Sequence, residues 1–289
     1  MDWNKSMVKK SDPINGLDQP NRASRPDYQL NFWMKTTLIN FFFLLIYFFP
    51  FYIQSQQYKA ATYENNGESL PYRFLLPENY NSKNKYPLLI FLHGAGERGT
   101  DNELQLFHGS NLFLNKEFRK KYPAIVVFPQ CPLKSYWATI LDRPEPMKFE
   151  YSEDPKNNYV LDLIEGIIKV VIKNYGVDKQ RIYIGGLSMG GMGTFEMVYR
   201  NPRMFAAAFA ICGGANPKIS NRIRRPAWRI DHGDRDNVVP IMHSKLMYES
   251  MKKEKIDVIF KIHEGVYHNS WNNVFSDPEF IPWLFAQSK

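Results

Sequence analysis

Ser188 occupies the centre of a glycine-rich segment that is suited to nucleophilic chemistry. Residues 186–190 read GLSMG, a G-x-S-x-G match that follows a strand-like stretch and precedes a plausible helix start. A serine hydroxyl attacks well only when a sharp strand-to-helix turn presents it beside a base and near backbone donors. An ordinary glycine-rich turn has the same pattern, so the interpretation depends on whether the chain supplies those partners.

A histidine and an acid follow downstream, in the chain order Ser, Asp, His that strand-to-helix nucleophiles use. Asp236 lies in a loop after a predicted strand at 227–231, and His268 lies in a loop after another at 258–262. The carboxyl ends of parallel strands open onto one edge of a sheet, where distant loops converge. We therefore predict that Asp236 orients His268, and that His268 is the base for Ser188.

Other residues compete for both roles. Asp231 and Asp234 lie close to Asp236 in the chain. Asp231 is expected to end its strand, and Asp234 is expected to bond to its own backbone in an Asx-type turn. His263, at the end of the last strand pattern, is the alternative base. The remaining histidines near these segments, which are His108, His232 and His243, are expected to be structural.

A fourth segment follows an early apolar strand. Residues 86–92 read YPLLIFL and lead into HGAGERGT at 93–100. Small residues after such a strand let a backbone N–H approach the oxyanion of a tetrahedral intermediate. We predict that the N–H groups of Ala95 and Met189 form this oxyanion hole, and that His93 supports the loop by hydrogen bonding.

Together these segments resemble the α/β-hydrolase superfamily, in its branch of phospholipase/carboxylesterase and dienelactone-hydrolase-like esterases. The likeness extends over about residues 70–285 and is carried by LHGAGERG at 92–99, PQCP at 129–132, GLSMGG at 186–191, HGDRD at 232–236 with VP at 239–240, and HNSW at 268–271. The resemblance implies a Ser188–His268–Asp236 triad with Ala95 and Met189 at the oxyanion. One departure from the family pattern is the polar pair Arg229 and Asp231 in the strand before His232.

Hydrophobic periodicity predicts the same α/β fold, a mostly parallel central sheet with helices on both faces. Apolar residues recur at helical spacing from Tyr159 to Tyr175, and Gly176 supplies a stop. Short apolar runs at 124–128, 181–184 and 206–211 read as further strands. Strands that alternate with helices indicate a parallel sheet. We expect one catalytic domain at 56–289.

The amino terminus has a different character. Met34-Lys35 precedes an almost wholly apolar stretch from Leu38 to Ile53 that is shorter than a membrane span, with Pro50 near its end. This pattern predicts a signal peptide at 34–55, cleaved after Ser55, and a secreted or periplasmic enzyme without a stable membrane anchor. Residues 1–33 are then a disordered leader or a mis-called start. An uncleaved anchor and a buried core helix are the alternatives.

Composition argues against several other classes. The net charge of +8 is mild for 289 residues and its basic residues are scattered, so no nucleic-acid partner is expected. Cys131 and Cys212 are the only cysteines; they are either a single disulfide or two buried thiols, and are too few for a zinc site. No metal and no cofactor are expected.

The resemblance implies hydrolysis of carboxylic esters, either on small molecules or linked to polysaccharide. Trp137, Met192 and Trp271 lie beside the predicted site segments and are candidates for the substrate pocket, although each is also a typical core residue. The alternatives are a prolyl-oligopeptidase-like serine peptidase and a non-catalytic binding protein on a hydrolase scaffold. A peptidase of that type carries a gating domain, and a binding protein commonly loses a triad member.

Overall fold

The computed structural model describes residues 57–143 and 148–289. These residues belong to one compact unit. The predicted leader and signal peptide, at 1–33 and 34–55, lie outside the described residues and remain predictions.

A mixed sheet forms the centre of the described chain. Ten strands lie within residues 57–143 and 148–289: β1 Lys59–Asn65, β2 Glu68–Leu75, β3 Tyr86–Leu92, β4 Ile125–Pro129, β5 Ile140–Asp142, β6 Glu150–Tyr151, β7 Val177–Leu187, β8 Ala207–Ile211, β9 Ala227–Gly233 and β10 Val258–His263. Eight of them pair in the order β1-β2-β4-β3-β7-β8-β9-β10. Within this eight-stranded sheet, the β4-β3, β3-β7, β7-β8, β8-β9 and β9-β10 pairings are parallel, and the β1-β2 and β2-β4 pairings are antiparallel.

Seven α-helices connect the strands in the described part of the chain: α1 Ser110–Leu114, α2 Lys116–Lys121, α3 Tyr159–Asn174, α4 Met189–Arg200, α5 Met242–Lys253, α6 Trp271–Ser276 and α7 Phe280–Ala286. Apolar residues of α3, α4 and α5 pack on one side of the sheet, and those of α1, α6 and α7 pack on the other. The predicted fold, a mostly parallel sheet with helices on both faces, is confirmed.

The sequence of β3 explains why both faces are covered. All seven residues of this strand are buried. Because side chains alternate across a strand, Leu88, Ile90 and Leu92 join the core on the side of α3, whereas Leu89 and Phe91 join the core on the side of α7. A run that is apolar at every position therefore belongs at the centre of a parallel sheet.

Gly176 lies just beyond α3, which ends at Asn174, so the predicted helix stop is confirmed. Gly176 is not among the positive-φ residues of the described chain; a Cβ there would lie 2.1 Å from the Asn84 carbonyl oxygen, so close packing requires the glycine. The antiparallel strands β1 and β2, and the separate two-stranded ribbon of β5 and β6, were not predicted. Their residues lack a continuous apolar run, because one side of each strand is exposed or half-buried.

Candidate active site

Ser188 lies between β7 and α4 in a strained backbone conformation. Its φ is 53° and its ψ is −118°, outside the regions that L-residues favour. The backbone is held there because Ser188 N–H donates to the Ile211 carbonyl at 2.8 Å, and Met192 N–H donates to the Ser188 carbonyl at 3.0 Å. Such strain is typical of a turn that exposes a nucleophile at the carboxyl edge of a sheet.

The two glycines that flank this turn are required by close backbone contacts. A Cβ on Gly186 would lie 2.3 Å from the Leu92 carbonyl oxygen, and a Cβ on Gly190 would lie 1.9 Å from the same atom. Both distances are far below van der Waals contact. The turn can therefore pack against the end of β3, which brings Ser188 next to the loop that follows that strand.

The three predicted triad side chains meet at this turn. His268 Nε2 lies 2.9 Å from Ser188 Oγ, and His268 Nδ1 lies 2.7 Å from Asp236 Oδ2. The carboxylate of Asp236 only accepts hydrogen bonds, so Nδ1 carries the proton and Nε2 is free to accept the hydroxyl proton. This arrangement is competent for general-base activation of a serine.

Asp236 is held as a buried carboxylate. Its Oδ1 accepts from Val238 N–H and Val239 N–H, each at 2.9 Å, and its Oδ2 accepts from His268 and, at 3.1 Å, from His232 Nε2. Burial acts to raise the pKa of Asp236, but the hydrogen bonds from the two imidazoles and the two amides hold that pKa well below its usual range. The negative charge therefore persists at the histidine.

The competing residues have other partners. Asp231 accepts two hydrogen bonds from Arg229, at 2.7 and 3.0 Å, and its Oδ1 lies 3.0 Å from His263 Nε2. Asp234 is exposed and accepts from Gly265 N–H at 2.7 Å. The polar strand residues Arg229 and Asp231 are thus a buried ion pair, which the guanidinium extends to Asp277 at 2.6 Å.

The loop after β3 lies against Ser188. A Cβ on Gly94 would lie 3.8 Å from Ser188 Cβ. His93 anchors the loop, because its Nδ1–H donates to the Gly94 carbonyl at 2.6 Å and its Nε2 accepts from Cys131 N–H at 2.9 Å. Burial lowers the pKa of His93 to about 4, so the imidazole is neutral and keeps this pair of bonds.

The two predicted oxyanion donors begin short helical segments. Ala95 is the first residue of a 3₁₀ turn at Ala95–Glu97, and Met189 is the first residue of α4. The first N–H groups of a helix have no partner within it and point away from its body. Arg98 holds the 3₁₀ turn in place by donating from Nε to the Ala95 carbonyl at 2.9 Å. Both N–H groups therefore remain candidates for binding an oxyanion.

The three predicted pocket residues lie in different environments. Trp137 and Met192 have 0 % of their surface exposed, so their part in a pocket remains a prediction. Trp137 instead donates from Nε1 to the His93 carbonyl at 3.2 Å. Trp271 is half-buried, and its ring centroid lies 5.5 Å from that of His268 in an edge-to-face arrangement.

A cavity of about 410 Å³ extends from Trp271 away from the triad. Its wall is largely aromatic and amide-bearing: Phe107, His108, Asn111, Leu112, Asn115, Phe118, Asn272 and Phe275. Another cavity, of about 360 Å³, lies beside Tyr86 at the amino end of β3 and so opens at the opposite edge of the sheet from Ser188. A third cavity, of about 370 Å³, is lined by Arg98 and Tyr136 beside the loop that carries Ala95. The cavities at Trp271 and at Arg98 are therefore both candidates to receive part of a substrate.

Both cysteines are buried and free, so the thiol alternative holds and the disulfide alternative is wrong. Burial raises the pKa of Cys131 to about 12 and that of Cys212 further still. Ligand-type atoms of Cys212, Asp236 and His268 lie within 4.8 Å of one another. Because the carboxylate and imidazole already bond to each other, this cluster is a hydrogen-bonded Asp236–His268 pair with a protonated thiol beside it.

His232 is the residue at this site whose contact the sequence interpretation missed. Expected to be structural, it bonds directly to Asp236. The signal was its position four residues before the acid in HGDRD, but a histidine at the end of a buried strand is commonly a packing residue.

No helix within residues 57–143 or 148–289 combines the length and apolar character that crossing a membrane requires. The sheet order, the strand–serine–helix turn and the three convergent loops define the α/β-hydrolase fold.

The chain belongs to the phospholipase/carboxylesterase family, whose model matches residues 79–281. It is 33 % identical over 135 residues to mouse lysophospholipase-like protein 1, covering 44 % of this chain and 54 % of that protein. A bifunctional acetylxylan esterase/xylanase of Neocallimastix patriciarum is 35 % identical over 77 residues, which is 26 % of this chain and 11 % of that protein.

Among solved structures, the crystal structure of a thermostable esterase superposes with a TM-score of 0.74 at 34 % identity and covers 82 % of this chain and 64 % of that one. The chain thus spans less than two thirds of the length of these relatives.

Proposed function

We propose that this protein hydrolyses carboxylic esters by two-step acyl transfer through Ser188, His268 and Asp236. The observation that carries the proposal is the continuous hydrogen-bonded chain from Ser188 Oγ through both nitrogens of His268 to Asp236 Oδ2, with distances of 2.9 and 2.7 Å. Membership of a phospholipase/carboxylesterase family and likeness to a solved esterase support ester substrates.

In the first step, His268 Nε2 takes the Ser188 proton as Oγ attacks the ester carbonyl carbon. The carbonyl oxygen becomes an oxyanion that accepts from the N–H groups of Ala95 and Met189, and Asp236 stabilises the imidazolium. The tetrahedral intermediate then breaks its bond to the alkoxy oxygen, which leaves as the alcohol with the proton from Nε2. Water, deprotonated by the same nitrogen, attacks the acyl-enzyme and releases the carboxylic acid and Ser188.

For the substrate, we propose acyl esters on small molecules or on polysaccharide. The acetylxylan esterase among the relatives supports this choice. The half-buried Trp271 and the cavity of about 410 Å³ beside it provide an aromatic and amide-bearing surface near His268 for an acyl or alcohol group. Export, with removal of residues 34–55, is proposed from the sequence alone, and a mature amino terminus at residue 56 tests it.

The decisive experiment compares Ser188→Ala with Ser276→Ala, an exposed serine on α6. Ser188→Ala should lose fluorophosphonate labelling and about 10⁶-fold in kcat on p-nitrophenyl acetate, whereas Ser276→Ala should keep both. Hydrolysis by Ser188→Ala at the wild-type rate would refute the nucleophile. A panel of p-nitrophenyl acyl esters, methyl ferulate, acetyl-xylan and a peptide amide then identifies the substrate class, and cleavage of the amide alone would contradict an esterase.

A further inference from the structure

The loop that carries Asp236 contains a second imidazole bonded to the same carboxylate. His232 lies near the end of β9 with 0 % of its surface exposed. Its Nε2 lies 3.1 Å from Asp236 Oδ2 and 2.8 Å from the Val239 carbonyl oxygen. Both neighbours only accept hydrogen bonds, so Nε2 must carry a hydrogen.

The other ring nitrogen fixes the orientation of the imidazole. His232 Nδ1 lies 2.7 Å from Ser244 Oγ on α5, and the same hydroxyl oxygen lies 2.8 Å from the Gly213 carbonyl oxygen. Gly213 follows β8 and packs against the first turn of α4, since a Cβ built on Gly213 would lie 2.7 Å from the Gly191 carbonyl carbon. The contacts of His232 therefore link the acid loop to the helix that follows Ser188.

The hydrogen bonds of Asp236 show what His232 adds. Oδ1 is held by the Val238 and Val239 amides, and Oδ2 is shared by His268 and His232. Without His232, Oδ2 would keep His268 as its one donor among the described residues, and the carboxylate could turn about the bond to its β-carbon. An acid that turns no longer aims His268 Nε2 at the serine hydroxyl.

From this geometry we propose that His232 is a positioning residue: its Nε2–H group fixes the carboxylate of Asp236 so that His268 faces Ser188. The proposal rests on the proposed ester hydrolysis. His232 does not touch the substrate or the reacting atoms. It acts through Asp236, and it withdraws part of the charge on Oδ2 from the His268 Nδ1–H bond.

Two amide substitutions at this position form a matched pair. His232→Gln places an N–H near the position of Nε2 and can still bond to Asp236, whereas His232→Asn reaches only the position of Nδ1. We expect His232→Asn to lower kcat by about 10- to 100-fold with KM changed less than about twofold, as for loss of a hydrogen bond to a charged group. His232→Gln should recover to within about threefold of the wild-type kcat.

A spectroscopic measurement tests the bond itself. In ¹⁵N-histidine-labelled wild-type enzyme, a proton should be observed on His232 Nε2, assigned by its loss in His232→Gln. The low-field resonance of the His268 Nδ1–H proton should move further downfield in His232→Asn, because Oδ2 then has more charge for that bond, and return toward its wild-type position in His232→Gln. The proton on His232 Nε2 is measured in the wild-type enzyme, so its absence would overturn the proposal even when the Asn variant does not fold.

The outcomes separate this proposal from the proposed function. Ser188→Ala that remains active refutes ester hydrolysis through Ser188, whatever His232 does. Inactive Ser188→Ala together with wild-type kcat in His232→Asn overturns the positioning role alone. An Nε2 without a proton, or equal losses in the Asn and Gln variants with an unmoved His268 resonance, also overturns it, because the imidazole would then contribute only packing.

Discussion

A His-Gly dipeptide occurs at the carboxyl ends of two strands of this sheet, and its histidine has different hydrogen-bond partners at each. His93-Gly94 follows β3 and His232-Gly233 ends β9. Both histidines are buried. The imidazole of His93 bonds only to backbone atoms, the Gly94 carbonyl and the Cys131 amide, whereas that of His232 bonds to the side chains of Asp236 and Ser244.

The difference arises from what each loop offers. Gly94, Ala95 and Gly96 have no polar side chain to hold the backbone after β3, and the neutral imidazole of His93, with one donor and one acceptor, holds it instead. The loop after β9 places a carboxylate four residues on, and an imidazole beside it becomes a donor to that charge. The role of a buried histidine is thus decided by its partners and cannot be read from the dipeptide.

Among changes in these two loops, the largest effect is expected when the charge faced by His232 and His268 is removed. Asp236→Asn should lower kcat by about 10⁴-fold with the fold retained, because an amide selects the wrong tautomer of the catalytic imidazole. Asp234→Asn is the matched control, since this exposed aspartate lies in the same loop and its carboxylate accepts only from Gly265 N–H among the described residues. Steady-state kinetics on an aryl acetate and circular dichroism measure both variants. A larger loss of kcat in Asp234→Asn than in Asp236→Asn would show that Asp236 is not the acid that orients His268.

At His93 the matched amides should rank in the opposite order from those at His232. His93→Asn keeps a donor near Nδ1 for the Gly94 carbonyl, and His93→Gln keeps only a group near Nε2 for Cys131 N–H. We expect His93→Gln to lose about 10²-fold in kcat, because the loop that carries Ala95 N–H shifts, and His93→Asn to lose about tenfold. If the Asn and Gln variants had the same order of kcat at both positions, His93 and His232 would not differ in the ring nitrogen on which their role depends.

The sequence predicted the centre of the sheet because β3, β4 and β8 are buried and apolar along their whole length. It predicted Ser188, Asp236 and His268 as a set because the loops after parallel strands converge at one edge. Their choice over Asp234 and His263 came from family resemblance, and the structure brings the chosen three together.

The parts that could not be predicted depend on partners distant in sequence. Arg229 and Asp231 look misplaced in a buried strand until Asp277, 48 residues from Arg229, completes their ion pair. No sequence signal predicts the bond between His232, on β9, and Ser244, on α5. The antiparallel strands β1 and β2 lie at the sheet edge, where partial exposure weakens the apolar pattern.

The free energy of unfolding of the protein should also depend on pH through His93, at the start of the loop after β3. Burial lowers the pKa of His93 from 6.5 to about 4, so the unfolded chain binds more protons between these values. The stabilisation is present above pH 6.5 and is lost as pH falls through about 4, on the order of 3 kcal/mol in all. Relative to the wild type, His93→Asn should therefore become more stable by this amount as pH falls over that range. Urea denaturation at a series of pH values measures it, and a constant difference would contradict a buried neutral imidazole.

A buried carboxyl group on α4 should give an effect of similar size and opposite sign. Glu196 on α4 accepts from Thr139 N–H at 2.6 Å and from Thr139 Oγ1 at 3.1 Å, which fixes the segment that carries Trp137 against His93. Burial raises its pKa from 4.5 to about 7 despite these bonds. Its stabilisation is present below pH 4.5 and is lost as pH rises through about 7.

Glu196→Gln keeps the shape and an acceptor for Thr139 N–H but cannot titrate. Relative to the wild type, this variant should gain about 2 to 3 kcal/mol of stability between pH 4.5 and 7. Because the windows of His93 and Glu196 overlap with opposite signs, their two contributions to the wild-type free energy of unfolding should largely cancel there, and each single variant should expose the slope of the other residue. Equal slopes in both variants would mean that the two groups are not the ones that titrate.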